Sequence, residues 1–202
     1  MAIITNPIIH HQYKAIVIGV SAGGFNALHQ VLPALPKEFP LSVAIVQHRM
    51  NTDDNFLIES LNNKCQLWVK EAEDKEPIQS GVVYIAPAGY HLLIESNRIF
   101  SLSVDELVNY SRPSIDVLFE SAADAYGYEL IGIVMTGANY DGKEGIRKIK
   151  EKGGLTIVQD PRNAEVATMP LAAISTQAID YTLPLHDIAP FLIRLSEEER
   201  NG

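Results

Sequence analysis

The stretch Ala15-Ile16-Val17-Ile18-Gly19-Val20-Ser21-Ala22-Gly23-Gly24 decides the fold. Its first six residues are apolar or small without alternation, the pattern of a strand buried on both faces. The glycine-rich turn then opens directly into residues 25–35, a segment of helical character. Strand, tight turn and helix in that order leave the turn at the carboxyl edge of a sheet, where open α/β folds bind their ligands.

The same grammar recurs along the chain. Short Val- and Ile-rich runs at 42–46, 82–85, 130–135 and 155–158 read as further buried strands. Between them, Ile115, Leu118, Phe119, Ala122 and Tyr126 fall on one face of a helix, with Ser114 placed as its N-cap. A second helix follows Asp141: Ile146 and Ile149 point inward, Glu144 and Lys148 form an i,i+4 pair on the wet side, and Gly153 ends it. Residues 91–95 and 98–103 flank Ser96-Asn97 and read as an antiparallel hairpin. The expected class is α/β, a doubly wound, mainly parallel sheet with helices on both faces and a short antiparallel hairpin. One domain, 14–192, accounts for the pattern, with 1–13 and 193–202 as terminal segments.

Composition narrows the function. A chain of 202 residues with 47% hydrophobic and 20% charged content can bury a substantial core. The net charge of -9 disfavours a nucleic-acid partner, since such binding rests on Lys and Arg neutralising phosphates. Cys65 has no second cysteine to pair with, and no signal-peptide pattern opens the chain, so a cytoplasmic address is expected. No apolar run approaches the roughly 20 residues of a spanning helix, and membrane insertion is not expected.

Three side chains capable of joint chemistry end three separate strands. Ser21 follows the first, His48 follows Val46-Gln47, and Asp141 follows the run 130–135 through Thr136-Gly137-Ala138-Asn139-Tyr140. Each has a bland reading alone: a structural or phosphate-binding turn, a structural histidine, a helix N-cap. Together they suit acyl transfer, because a serine hydroxyl becomes a nucleophile when imidazole removes its proton and a buried carboxylate orients that imidazole. The chain order Ser, His, Asp differs from the Ser, Asp, His order of the α/β-hydrolases. A rival reading is a noncatalytic module holding a nucleotide or anion at the glycine-rich turn, although its spacing matches neither G-x-G-x-x-G nor the P-loop.

The segments 18–24, Val46-Gln47-His48, Pro113-Ser114-Ile115-Asp116, 136–142 and Gln159-Asp160-Pro161 with Met169-Pro170 resemble, in order, the catalytic domain of the chemotaxis receptor methylesterases, the CheB family. The resemblance runs from about Lys14 to Leu192. It implies a serine carboxylic-ester hydrolase, a protein-glutamate methylesterase that releases methanol from γ-glutamyl methyl esters, with glutamine deamidation as a related activity. The implied partners are methylated chemoreceptor cytoplasmic helices or a related methylated protein, and no cofactor is implied. Ser21, His48 and Asp141 would be catalytic, and the Ala138 N–H would serve the oxyanion, with Ala22 and Gly23 beside it. Ala22 stands where threonine is frequent, and Ala138-Asn139 stands where Met-Gly is common. The receiver domain that precedes many relatives has no expected counterpart in the fourteen residues before the first strand, since a domain needs ~50 residues. Activity without phosphorylation is the corresponding expectation.

Other candidates carry less. His10, His11, His29 and His186 lack zinc-like spacing, so no metal site is expected. Lys64 beside Cys65 could lower its thiol pKa, but no catalytic-cysteine signature accompanies it. Lys143, Arg147, Lys148, Lys150 and Lys152 are interspersed with Glu144 and Glu151, as on a solvated helix face. Tyr90-His91 and Tyr110-Ser111-Arg112 fall in loops near the expected rim, where Arg112 could bind a carboxylate beside the target ester.

Overall fold

The computed structural model describes residues 13–48 and 56–198; His10 and His11 lie outside them. Strand β1 (Ala15–Val20) forms as expected and is buried along its whole length. Its side chains alternate between two cores. Ile16, Ile18 and Val20 join the layer that contains Leu28, Val31, Ile188 and Leu192, whereas Ala15 and Val17 join the layer of Leu118, Phe119, Ile146 and Ile149. Each fully buried Ile or Val contributes about 1.5–3 kcal/mol relative to exposure, so β1 alone anchors both layers.

Parallel neighbours flank β1 on both sides: β2 (Ser42–Gln47) and β7 (Leu130–Val134). Beyond β2 lie β4 (Val82–Ile85) and then β3 (Trp68–Glu71) at the edge; beyond β7 lie β8 (Leu155–Gln159) and β9 (Tyr181–Leu183). Every pairing in this seven-stranded sheet is parallel. The antiparallel pair β5 (His91–Ile94) and β6 (Phe100–Ser103) forms a separate two-stranded sheet.

Among the described residues six α-helices cover the sheet. On one face lie α1 (Gly24–Val31), α2 (Phe56–Asn62) and α6 (Leu185–Glu198). On the other lie α3 (Ile115–Tyr126), α4 (Lys143–Glu151) and α5 (Thr168–Ile174), with the hairpin. The first helix is shorter than the sequence suggests, because Pro33 tightens 32–34 into a 3-10 turn. A Cβ at Gly19 would stand 2.4 Å from Ile115 Cγ2, so glycine lets α3 approach β1 directly behind the turn.

Two local expectations are corrected. Glu144 pairs with Arg147 rather than Lys148, whose ammonium instead reaches Asp124 on α3 at 2.6 Å. Ser114 occupies the N-cap position of α3 but makes no side-chain cap; its hydroxyl donates to Asp141. Gly153, at φ 86°, follows the C-cap of α4 as expected. Among the described residues no helix is long and apolar enough to cross a membrane.

Candidate active site

Because β2, β1 and β7 are adjacent and parallel, their carboxyl ends share one rim. The register pairs Val20 with Gln47 and Gly19 with Val46 and Val134. Ser21 and His48 are therefore the next residues out on neighbouring strands, whose spacing is about 4.8 Å. Backbone bonds continue past the strand ends: His48 N–H donates to Val20 O at 3.0 Å and Ser21 N–H to Thr136 O at 3.0 Å. The turn after β7 is thereby tied to the turn after β1.

His48 Nε2 donates to Asp141 Oδ2 at 2.8 Å, with the histidine side chain 12% exposed and the carboxylate fully buried. Asp141 does not cap α4, whose N-cap is Gly142 at φ 92°. It stands at the start of α3, accepting from Ile115 N–H (2.6 Å), Asp116 N–H (3.1 Å) and the Ser114 hydroxyl (2.8 Å). Asn109 Nδ2 donates to it at 2.9 Å. Burial pushes the Asp141 carboxyl up, but the hydrogen bonds from His48, Asn109 and the α3 backbone outweigh it and hold the group below the usual carboxylate range. The positive end of a helix is a favourable place for such a charge.

The Ser21 hydroxyl makes no hydrogen bond to His48, and His48 Nδ1 accepts from Asn139 Nδ2 at 3.1 Å. The backbone N–H groups of Ala22, Gly23 and Ala138 have no acceptor among the described residues, so they are free to serve an incoming oxyanion. Gly23 adopts φ 79°, a left-handed conformation that glycine takes without strain. A Cβ at Gly137 would stand 1.9 Å from Met169 Sδ and 3.0 Å from Ser21 Cβ, which packs the turn after β7 tightly under the serine.

Residues that the strand-end reading missed hold this geometry. Gln47 Nε2 donates to the carbonyls of Ser21 (3.0 Å) and His48 (2.9 Å). Gln159 Oε1 accepts from Thr136 N–H, and Thr136 Oγ1 donates to Ala22 O at 2.8 Å. The turn itself holds a further signal, since Gly19-Val20-Ser21-Ala22-Gly23 has the G-x-S-x-G spacing of a strand-to-helix nucleophile turn.

The remaining candidates are placed elsewhere. Arg112 directs Nη1 to the carbonyls of Val104 and Asp105, fastening its own loop, and its Nε is buried without a partner. His91 is buried, accepting from Ser114 N–H through Nδ1, with Nε2 on Glu106 O. His29 bonds Phe25 O and the Ser60 hydroxyl. His186 is exposed beside Asp187. Burial pushes the Cys65 thiol up to about 11, the opposite of activation by Lys64. On α4, Arg147 pairs with Glu144 and Glu151, Lys148 with Asp124 and Lys150 with Asp180; Lys152 on the turn that follows also reaches Asp124.

Comparison with known proteins agrees with this architecture. The family model described as CheB methylesterase matches residues 16–192. A Leptospira interrogans protein with a provisional name of protein-glutamate methylesterase/protein-glutamine glutaminase is 54% identical over 185 residues, 92% of this chain and 96% of that protein. A Methanosarcina mazei protein of that name is 38% identical over 93% of this chain, which spans only 54% of that longer relative. The crystal structure of the Thermotoga maritima CheB methylesterase catalytic domain superposes with a TM-score of 0.87 at 36% identity, covering 91% of this chain and 99% of that one. Fold and sequence thus converge, and the chain belongs to the CheB methylesterase family.

Proposed function

We propose that this chain hydrolyses γ-glutamyl methyl esters on the cytoplasmic helices of methylated chemoreceptors, or on a related methylated protein, through Ser21, His48 and Asp141. The observation that carries the reading is the buried Asp141 carboxylate on His48 Nε2, at a strand end next to the one that bears Ser21. Ser21 Oγ attacks the ester carbonyl while His48 Nδ1 takes its proton. The tetrahedral oxyanion turns toward the free N–H groups of Ala138 and Ala22, and each such donor contributes about 3–4 kcal/mol to lowering the barrier. His48 returns the proton to departing methanol, and water, activated by the same ring, releases the acid. Replacing methanol with ammonia as leaving group gives glutamine deamidation by the same steps. The reaction uses no cofactor.

A groove of about 360 Å³ lined by Tyr140, Lys143, Thr168, Leu171, Ala172 and Ser175 adjoins the turn that carries Asp141. Its apolar walls and single cation suit one face of an amphipathic acidic helix lying across the rim.

The test is mass spectrometry of a methylated chemoreceptor fragment before and after incubation, with methanol measured in parallel. Conversion of methyl-glutamate to glutamate by the native chain, and none by Ser21→Ala, is expected. Equal conversion by both proteins overturns the reading.

A further inference from the structure

Asn139 meets both partners of the histidine–aspartate pair. Its Oδ1 accepts from Asp141 N–H at 3.2 Å, and its Nδ2 donates to His48 Nδ1 at 3.1 Å. The first contact fixes how the amide is turned, because a reversed amide would set two N–H donors against each other. Nδ1 must then present a lone pair. The opposite side of the ring requires the same, since an ionised Asp141 can only accept and Nε2 must carry the proton.

We propose that Asn139 is a positioning residue for the general base, holding the His48 ring with its lone pair on Nδ1, the nitrogen that takes the Ser21 proton. This extends the triad reading above and rests on it for its catalytic meaning. The amide bonds only the neutral ring; a protonated Nδ1 would face an N–H group. Hydrogen bonding to the neutral form opposes protonation. Asp141 acts in the other sense, as does Asp116 behind it through Asn109. Among the described residues, the other charged groups on the neighbouring elements include Lys143 on α4 and Glu165 on the turn before α5, the latter bonded to Asn26, with Glu120 and Asp124 on α3, the ion-paired side chains farther along α4, and the Asp160–Arg162 pair after β8. They are common to every variant compared below, so a difference between variants reads position 139.

Because the amide occupies the lone pair, it must yield when Ser21 reacts. The contact therefore fixes the tautomer of the resting ring at a modest cost in availability of its lone pair, a balance that substitution separates into two observables.

The experiment compares the native chain with Asn139→Gly and Asn139→Asp. A carboxylate still accepts from Asp141 N–H, so Asn139→Asp preserves the turn while replacing the donor with an acceptor. The dependence of kcat/KM on pH is measured by methanol release from a methylated receptor fragment. In parallel, 15N NMR of the substrate-free proteins follows the protonation of the His48 ring. The acid limb should move to higher pH by about half to one unit in Asn139→Gly. In Asn139→Asp it should move further, with the ring taking up its proton at a higher pH in the same order. Coincident ring titrations in all three proteins, or a native neutral ring protonated on Nδ1, would overturn the proposal. The NMR arm needs no turnover: ordered titrations without esterase activity would remove the proposed reaction and leave the Asn139 contact standing.

Discussion

Asp116 and Asp141 share one amide: Asn109 Nδ2 donates to Asp116 Oδ2 at 2.7 Å and to Asp141 Oδ1 at 2.9 Å. Asp116 also accepts from Gly145 N–H at 2.7 Å and is 6% exposed. Two buried carboxylates so joined cannot ionise with equal ease. Asp141 takes the charge, supported by His48 and the start of α3, whereas burial and the neighbouring charge of Asp141 push Asp116 up from 3.8 to about 6.

The pair gives a pH dependence of stability with a definite sign. Asp116 has a folded value above its unfolded one, so between pH ~4 and ~6 the folded protein holds a proton that the unfolded chain releases. Stability from this group is therefore greatest below the window and is lost as pH rises through it, by about 3 kcal/mol at most. Asp141 has the opposite sign and acts below about pH 4, where acid removes its contribution. Asp116→Asn abolishes the first effect. Urea midpoints measured from pH 4 to 7 should show the variant gaining on the native chain as pH rises, whatever constant offset its altered contact with Asn109 adds. Parallel curves would show that Asp116 binds its proton equally in the folded and unfolded states, and its raised value would have to be abandoned.

Gln47→Leu should separate alignment from stability. The side chain bridges the Ser21 and His48 carbonyls through Nε2 while its Oε1 is buried without a partner. Removing both the bonds and the orphaned oxygen largely offsets in stability, within about 1–2 kcal/mol. Activity should fall by about tenfold to a hundredfold, because small misplacements of a nucleophile and base are costly. Thermal melting and kcat on one preparation decide it. A lowered melting temperature with unchanged kcat would leave Gln47 a packing residue.

Gly137→Ala tests how closely the turn after β7 supports the serine. The new Cβ would collide with Met169 Sδ and touch Ser21 Cβ. A loss of about 1–3 kcal/mol is expected from overpacking. Met169→Ala makes room at the end of that side chain, so the double variant should be more stable than the sum of the single losses. A double-mutant cycle in urea that closes additively would show that the start of α5, which carries Met169, moves away freely.

What the sequence disclosed follows from burial. Strands β1 and β4 match their apolar runs residue for residue, because both are interior and every side chain is buried. The edge strands β3 and β9 escaped notice: Trp68, Tyr181 and Thr182 are exposed, and Lys70 and Glu71 interrupt any apolar pattern. Helix α6 carries Pro190 in its interior, against the usual preference. At the candidate site, Ser21, His48 and Asp141 could be read as neighbours because each follows a strand that ends at the same rim. Asn109 was not, since it reaches Asp141 from a loop 32 residues earlier, at φ 51°, and nothing in its local sequence specifies that return. Asn139 sat beside Asp141 in plain view, but its contact with His48 depends on β2 and β7 flanking β1, which only the sheet order reveals.

The proposed triad predicts strong non-additivity between Ser21 and His48. Each residue alone completes a step that the other cannot perform: without the serine there is no acyl intermediate, and without the imidazole its hydroxyl stays a poor nucleophile. Ser21→Ala and His48→Ala should each remove most methanol release, by about a thousandfold or more, while the double variant is little worse than either. Folding should survive, because among the described residues the Ser21 hydroxyl makes no hydrogen bond and the His48 ring bonds only Asp141 and Asn139. Asp141→Asn should be severely impaired as well, since an amide can hold the wrong tautomer of the ring. Here the effect on stability is larger, because the carboxylate also accepts from Ser114, Ile115, Asp116 and Asn109. Rates for the three single variants and the Ser21/His48 double, taken with far-UV circular dichroism on each, provide the check. Multiplying losses in the double variant would mean that the two residues act on separate steps, and the triad would have to be abandoned.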